Sequence, residues 1–445
     1  MLKQTYQSKS IWPLFISALL LSFAFFVPES HSQWVRAKGA TRQTVLSFVT
    51  KGSTIFAGAR HGPFPDTTYI GGALRSTDNG ATWVTIDSGF VSQTVFSVSV
   101  YSLLANGDSL LAGTSNGVYV STNDGTNWKD ASTGIDSDDA SRNVQALLLS
   151  GSNLFAGTQN GIFYSSDRGA NWVRRDSGLG LNNPSKNVLC MTSIGQVVFA
   201  SVNTDDIYAS SDTGKSWTKP FKSFRSVMSF AVMESTFFGA YEPIWISPDS
   251  GKSWSGLITS PRDTVTNDLC AVVALNTYKQ YLFAGTLFYG IYLSPDLGKS
   301  WNAINGGFEG NSFFDVWSIT IAGDYLLIGG VSSQYTGIWR RPLSEVITSI
   351  PRRQIPIPRT VSLGQNYPNP FNPKTTIEYN LSYPSFVTLE VFDLLGRKVK
   401  TLVNGVQTSQ RNTISFDASQ MATGIYLYRL TANGCSMVRK MVLTK

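Results

Sequence analysis

STDNGATW, residues 76–83, is the first of six copies of one eight-residue pattern; the others are STNDGTNW (121–128), SSDRGANW (165–172), SSDTGKSW (210–217), SPDSGKSW (247–254) and SPDLGKSW (294–301). Their tryptophans, Trp83, Trp128, Trp172, Trp217, Trp254 and Trp301, recur about every 44 residues, the length of a four-stranded propeller blade. An alternating stretch such as GIFY (161–164) or GIYL (290–293) precedes each copy, and an apolar stretch such as LLAGT (110–114) or LFAGT (154–158 and 282–286) precedes that. A run such as VQALLLSG (144–151) or VWSITIAG (316–323) supplies an innermost strand, and the residues from the tryptophan onward supply an outermost one. Four strands per unit follow.

Each copy has the composition of a tight hairpin turn. Asp78, Asp167, Asp212, Asp249 and Asp296 are placed to accept backbone N–H groups, the glycine to supply a positive φ, and the tryptophan to pack beneath the turn. Asn123 stands at the aspartate position of the second copy, and its amide oxygen can accept the same bonds, so that turn is expected to survive.

The pattern resembles the Asp-box, or bacterial neuraminidase, repeat, which implies a β-propeller. Six units are complete, and a seventh runs from VWSITIAG through YLLIGG (325–330) to GIWRRPL (337–343) with no Asp box and no outer strand. The stretch WVRAKG (34–39) resembles WVRRDSG (172–178), an outermost strand, and is predicted to complete the seventh blade and close the ring. The predicted fold is all-β: a seven-bladed β-propeller of Asp-box repeats over 33–347, with 33–39 as its closing strand, followed by a small immunoglobulin-like β-sandwich.

SIPRRQIPIPRT (349–360) is rich in proline and arginine without periodicity, so 348–362 reads as a linker. Short alternating strands follow in 363–445: TTIEYNL (375–381), FVTLEVFD (386–393), NTISFD (412–417), GIYLYRLTA (424–432) and a final strand toward Lys445. NYPNPFNP (366–373), LLGRKVKTL (394–402), MATGIYLYRL (421–430) and the basic end at 439–445 resemble, in that order, the type A C-terminal sorting domain of type IX secretion. The resemblance implies the secretion machinery as a partner and delivery through the periplasm to the outer-membrane surface or the medium. At the other end, Lys3 and Lys9, the apolar run 11–27 and Ser30-His31-Ser32 have the order of a signal peptide over 1–32, and no later segment has the length and hydropathy of a membrane-spanning helix.

The net charge of +7 is uneven, with about twelve lysines and arginines against four acids from Arg352 onward, leaving 33–350 at roughly −2. The large domain therefore lacks the basic footprint of a nucleic-acid binder. Cys190, Cys270 and Cys435 sit in apolar or small-residue contexts and read as buried free thiols. His61 is the single histidine after the signal segment, which disfavours a Ser-His-Asp relay or a multi-histidine metal site. The stretch DSDD (136–139) lacks a calcium-loop pattern and reads as a solvated turn, so neither metal nor cofactor is expected.

Antiparallel blades place the Asp-box turns on one face and the loops between second and third strands on the other, where binding residues are expected. The long insertion there offers His61, Phe64, Asp66 and Tyr69; other blades add Asp205, Asp206, Tyr241, Glu242, Phe288, Tyr289, Gln334 and Tyr335. Aromatics with a few acids suit a glycan or a protein surface. A glycoside hydrolase using paired carboxylates in a groove is the enzymatic alternative. The sialidase version lacks its Arg-Ile-Pro signature and arginine triad here. A receptor-type or assembly propeller is the third reading. Binding rather than catalysis is the expected role, because the repeat sets a scaffold and not a chemistry.

Overall fold

The computed structural model describes residues 33–40, 43–60, 71–91, 98–180, 186–203, 207–220, 227–240, 243–256, 259–263, 267–308, 314–332, 336–348, 362–381, 385–407, 410–432 and 435–445. The predicted signal peptide and nearly all of the predicted linker lie outside these residues. The described chain is all-β apart from two short helices, Asp139–Arg142 and Leu343–Thr348.

Residues 34–342 form seven open antiparallel sheets. The first consists of Thr44–Lys51, Thr54–Arg60, Gly72–Ser76 and Val84–Thr85, paired in that order. The next five repeat this meander, starting from Val100–Asn106, Val144–Ser150, Val188–Ile194, Ser229–Met233 and Val272–Tyr278. In the fourth sheet the outermost strand is reduced to a single bridge, Ala209 to Thr218. The seventh sheet pairs Phe314–Ala322, Tyr325–Ser332 and Thr336–Pro342, and its fourth strand is Val35–Arg36 from the start of the chain. Val35 faces Arg340 and Arg36 faces Trp339. The innermost strands neighbour one another in chain order, and that of the seventh sheet neighbours that of the first, a propeller-like arrangement.

Close approach between sheets explains the recurrent Ala-Gly in the second strand. A methyl group on Gly58 would lie 2.7 Å from Cγ1 of Val100 in the next sheet, on Gly157 2.6 Å from Val188 Cγ1, and on Gly329 2.8 Å from Val45 Cβ. The last of these joins the seventh sheet to the first by the same contact that joins the others. Serines just beyond the valines add polar ties between inner strands: Ser318 Oγ donates to Val45 O at 2.8 Å, and Ser102 Oγ accepts from Leu147 N at 3.1 Å.

In every copy of the eight-residue pattern the first serine is buried and organises the turn. Ser76 Oγ donates to Asp78 Oδ1 at 2.8 Å and accepts from Gly80 N at 3.0 Å, while Asp78 Oδ1 also accepts from Thr82 N at 2.9 Å. Asn123 does the same, accepting from Ser121 Oγ and Asn127 N. Asp167, Asp212, Asp249 and Asp296 each accept from the backbone N–H four residues on. These bonds favour the ionised form and hold the carboxyls of Asp78 and Asp167 down at about 2. The turn requires two successive residues at positive φ: Gly80 at 79° follows Asn79 at 56°, and Gly298 at 86° follows Leu297 at 61°.

The tryptophans do more than pack beneath their own turns. Trp128, Trp172, Trp217 and Trp301 donate their indole N–H to carbonyls of the preceding sheet's outer region, at Ile86, Ala131, Arg175 and Thr259. Trp34, which has no Asp box, donates to Ile304 O at 2.7 Å in the same manner. Its backbone N–H bonds Gly306 O, as that of Trp83 bonds Lys38 O and that of Trp128 bonds Ser88 O.

Residues 362–443 form two further antiparallel sheets. One pairs Ser362–Leu363, Lys374–Leu381 and Gln410–Asp417; the other orders Lys398–Gln407, Ser385–Phe392, Gly424–Ala432 and Cys435–Leu443. Both contribute to one core that includes Ile377, Tyr379, Leu389, Val391, Tyr428 and Met441. The strand Lys398–Gln407 was not anticipated, because its lysines interrupt the apolar alternation. The NYPNPFNP stretch is pinned to the last strands: Asn366 N donates to Tyr428 Oη at 2.8 Å, and Asn369 Oδ1 accepts from Val442 N at 2.9 Å.

Two expectations need correction. The acidic stretch at 136–139 is not a plain turn, since Asp138 caps the helix Asp139–Arg142 by accepting from Ser141 N at 2.8 Å, and Asp136 pairs with Arg174. Cys270 is buried outside any disulfide, its Sγ donating to Tyr292 Oη at 3.7 Å, whereas Cys190 keeps some exposure as a residue although its Sγ donates to Val227 O at 3.4 Å and desolvation pushes the thiol up. The side chain of Cys435 lies outside the described residues. No described helix is long and apolar enough to cross a membrane.

Candidate functional site

Six of the seven innermost strands carry a β-bulge at the same place, next to a buried valine near the loop-face end of the strand. The register shifts fall across Leu46, Tyr101, Gln145, Leu189, Val273 and Trp317. Met228 follows the corresponding valine in the fifth sheet. A bulge inserts one unpaired residue and re-aims it, which is why bulges gather at sites. The valines on one side, Val45, Val100, Val144, Val188, Val227, Val272 and Val316, are buried between sheets, and small residues follow. The intervening residues stay partly exposed, Val273 excepted. With the inner strands neighbouring one another in sequence, this places a mainly apolar collar, including Tyr101 and Trp317, at the loop-face end of the inner strands.

The sector where the sixth, seventh and first sheets meet carries the most developed chemistry. Arg60, the last residue of its strand, lies over the Trp317 indole with its guanidinium carbon 5.2 Å from the ring centroid. Its Nε is buried without a hydrogen-bond partner among the described residues. Asp315 Oδ1 accepts from Phe288 N at 2.8 Å. Half-burial raises the Asp315 carboxyl above its ordinary range, opposed by the Phe288 N–H and by the charge of Arg60.

Phe288 itself has φ 72° and is 54% exposed. A bulky residue in the left-handed region costs about 1–3 kcal/mol and persists only where its surroundings impose it. Here they do. Leu287 N bonds Ala271 O, Phe314 N bonds Phe288 O, and Gly290 N bonds Phe314 O, all at 2.8–3.0 Å. Tyr289, half-buried beside it, is bridged to Phe314, and its carbonyl accepts from Asn305 Nδ2 at 2.9 Å.

Of the loop residues singled out from sequence, Phe288 and Tyr289 are therefore brought together beside Asp315. His61, Phe64, Asp66, Tyr69, Asp205, Asp206, Tyr241, Glu242, Gln334 and Tyr335 lie outside the described residues. Sequence reading did not single out Arg60, Asp315 and Trp317, which sit on strands; Arg60 marks the start of the expected insertion at 60–69, and Trp317 falls in an expected inner strand. The signal available was the recurring valine, variable residue, small residue triplet at the start of each inner strand. Among the described residues no group of three or more His, Cys, Asp or Glu side chains could hold a metal ion.

The fold and tail define a propeller-like β-protein with an export domain. Residues 365–444 match the family described as secretion system C-terminal sorting domain. The chain is thus exported to the cell surface or secreted by the type IX route. No curated protein matches the chain. Among solved structures it is similar to the GH74 xyloglucanase from Xanthomonas campestris, with 15% identity and TM-score 0.52 over 85% of this chain and 63% of that one. It is similar to YCF48 from Cyanidioschyzon merolae, with 12% identity and TM-score 0.51 over 71% of this chain and 99% of that one. An extracellular domain assigned to a hybrid two component system of B. thetaiotaomicron matches with 14% identity and TM-score 0.51 over 79% of this chain. The chain spans 45% of that domain's length. At these identities the likeness concerns the fold alone.

Proposed function

We propose that this protein is an exported seven-bladed β-propeller of Asp-box repeats, with an immunoglobulin-like sorting tail, that acts as a binding module for glycan or protein at the cell surface. The observation that carries the reading is the collar of Leu46, Tyr101, Gln145, Leu189 and Trp317, partly exposed on bulges at one end of the inner strands, with Met228 exposed at the matching place in the fifth sheet, while the adjacent valines pack the scaffold. Partly exposed aromatic and apolar groups gathered at one end of a scaffold have the composition of the centre of a recognition surface. The Asp-box turns at the opposite ends of the strands are occupied by their own hydrogen bonds and serve the scaffold.

The test is a binding screen of the full exported chain against surface glycans and surface proteins, repeated with Tyr101→Ala and Trp317→Ala together. The expected result is at least a tenfold loss of affinity with the melting temperature little changed. Binding untouched by these changes but lost on Lys215→Glu, beside an Asp box, would place the site on the wrong face.

A glycosidase reading has one feature in its favour, Asp315, a half-buried carboxyl near the loop-face end of the seventh sheet that desolvation raises. It needs a second carboxylate, for which Asp66, Asp205, Asp206 and Glu242 are the candidates. Release of reducing sugar that disappears in Asp315→Asn would support it.

A further inference from the structure

The four-stranded sheet of the tail turns one face to the core and leaves the other outside. Leu389, Val391, Tyr428 and Met441 pack inward, so the residues alternating with them face out. Cross-strand partners share a face, and the register sorts the outer one into rows. Thr388 lies opposite Asn404 and Thr431, and Thr431 opposite Ser436, a polar and uncharged end. Toward the other end Lys398, Phe392, Leu427 and Lys440 form one row, and Ile425 with Val442 forms the next. Beyond them the turn 393–397 joins two of the strands and presents Leu394 and Leu395, 66% and 77% exposed. These leucine side chains do not hold the turn. Asp393 does, its Oδ1 accepting from Leu395 N at 2.9 Å and from Arg397 N at 3.0 Å while its own N–H donates to Arg397 O at 3.0 Å.

From this arrangement we infer that the turn end of the tail docks on an anionic lipid surface, with Leu394 and Leu395 entering the headgroup region. The inference concerns the tail and goes beyond the propeller reading above. Charge selects the kind of surface. Residues 363–445 carry nine lysines and arginines against four acids. Both acids at this end are already matched to cations, Asp393 to Arg397 at 2.7 Å and Glu390 to Lys398 at 3.1 Å and Arg429 at 3.4 Å. Lys440, exposed at the far side of the Phe392 row, has no ion pair among the described residues and is available to a headgroup phosphate. Shape favours lipid over a protein partner. The leucines stand at the tip of a hairpin and the lysines are set back along the sheet, so the apolar groups meet an interface first. Lysine stems then follow them while the ammonium groups stay at headgroup depth. Apolar side chains leading and cations flanking is the arrangement that holds a protein in a membrane interface.

The experiment is co-sedimentation of the full exported chain with vesicles of phosphatidylcholine alone or of phosphatidylcholine and phosphatidylglycerol in equal parts. Binding to the anionic vesicles is expected, roughly tenfold or more tighter than to the neutral ones and weakening as sodium chloride is raised. Leu394→Ser with Leu395→Ser should lose roughly tenfold or more. The melting temperature of that variant should not fall, because Asp393 and the backbone hold the turn, which separates loss of docking from loss of the fold. Lys440→Glu should lose about fivefold or more on the anionic vesicles. Val84→Ser with Val173→Ser, which removes two exposed side chains from outermost strands of the propeller, is the control and should bind as the parent does. The inference is overturned if the anionic vesicles do not bind, if the neutral ones bind as well, if the double leucine variant binds as the parent does, or if the valine control loses as much. Capture of a secretion-machinery protein that requires Leu394 and Leu395, with no vesicle bound, would overturn the lipid assignment.

Discussion

Replacing Trp34 by alanine removes an indole that is 4% exposed and fastens the fourth strand of the seventh sheet to the sixth. The ring stacks on Phe308 at 5.5 Å with a 20° interplanar angle, and packs in the cluster that includes Ile291, Ile304, Phe314 and Trp339. Truncating a buried tryptophan costs about 3–5 kcal/mol through lost transfer energy and the cavity left behind. The lost indole hydrogen bond adds little, because Ile304 O also accepts from Arg341 at 3.1 Å and is not left unsatisfied. The lower part of the range, about 3 kcal/mol, is therefore expected, and for a domain of this size it lowers the melting temperature by roughly 4–6 °C. Circular dichroism melting of the full exported chain reads the change. Lys38→Ala is the control, since the Lys38 side chain is exposed while its backbone makes the bonds to Ala81 and Trp83. Trp34→Phe should recover part of the loss, as it keeps an aromatic against Phe308. If Trp34→Ala melts with the parent, or no lower than Lys38→Ala, the closure of the seventh sheet by the start of the chain does not hold the fold together.

Stability should depend on the Asp-box carboxylates in acid. Their folded values, about 2 for Asp78 and Asp167, lie below the ordinary 3.8, so their contribution is present above about pH 4 and is lost as pH falls toward 2; Asp78→Asn with Asp167→Asn should flatten that limb of a urea-midpoint against pH curve, and an unchanged limb would refute the assignment. Gly157→Ala should destabilise by about 1–3 kcal/mol, because its new methyl meets Val188 Cγ1 at 2.6 Å across two sheets, and denaturant unfolding with no shift in midpoint would show that the sheets are less tightly apposed. Deleting residues 374–445 should trap the protein in the periplasm of a host with type IX secretion, as read by cell fractionation; undiminished surface delivery would show that the matched tail is not the address.

The repeated units were legible because one physical requirement recurs in them. A turn with two successive positive-φ residues, a hydrogen-bonded serine and aspartate, and a tryptophan that bonds its own turn or, in four of the six copies, the preceding sheet leaves little freedom at those positions, and the eight-residue copies record it. The pairing of Val35 with Arg340 could be anticipated for the same reason, since Trp34 occupies the place that the motif tryptophans take elsewhere. The strand Lys398–Gln407 escaped because Lys398 and Lys400 stand on an exposed stretch, where nothing selects for apolar alternation. Arg60, Asp315 and Trp317 escaped for a different reason. Each lies at a position where the scaffold asks only for a strand residue, so their chemistry is unconstrained by the repeat and leaves no periodic trace.

That freedom is itself informative about where recognition belongs. At the Asp-box ends every repeat repeats the same bonds, and substitutions such as Asn123 for aspartate preserve them. At the loop-face ends of the inner strands, six of them bulged, the valine is kept in all seven sheets while the next residue varies among leucine, tyrosine, glutamine, methionine, valine and tryptophan. A position that served packing would show the valine's uniformity, because seven similar interfaces impose seven similar demands. On the binding reading proposed above, the matching position of each sheet meets a different demand, since a ligand does not repeat as the sheets do. The residue after the valine differs from sheet to sheet, and the unequal partners found there, a cation on Trp317 and a carboxylate locking Phe288 but no counterpart of that pair at Leu46, Leu189 or Val273 among the described residues, fit the binding reading proposed above.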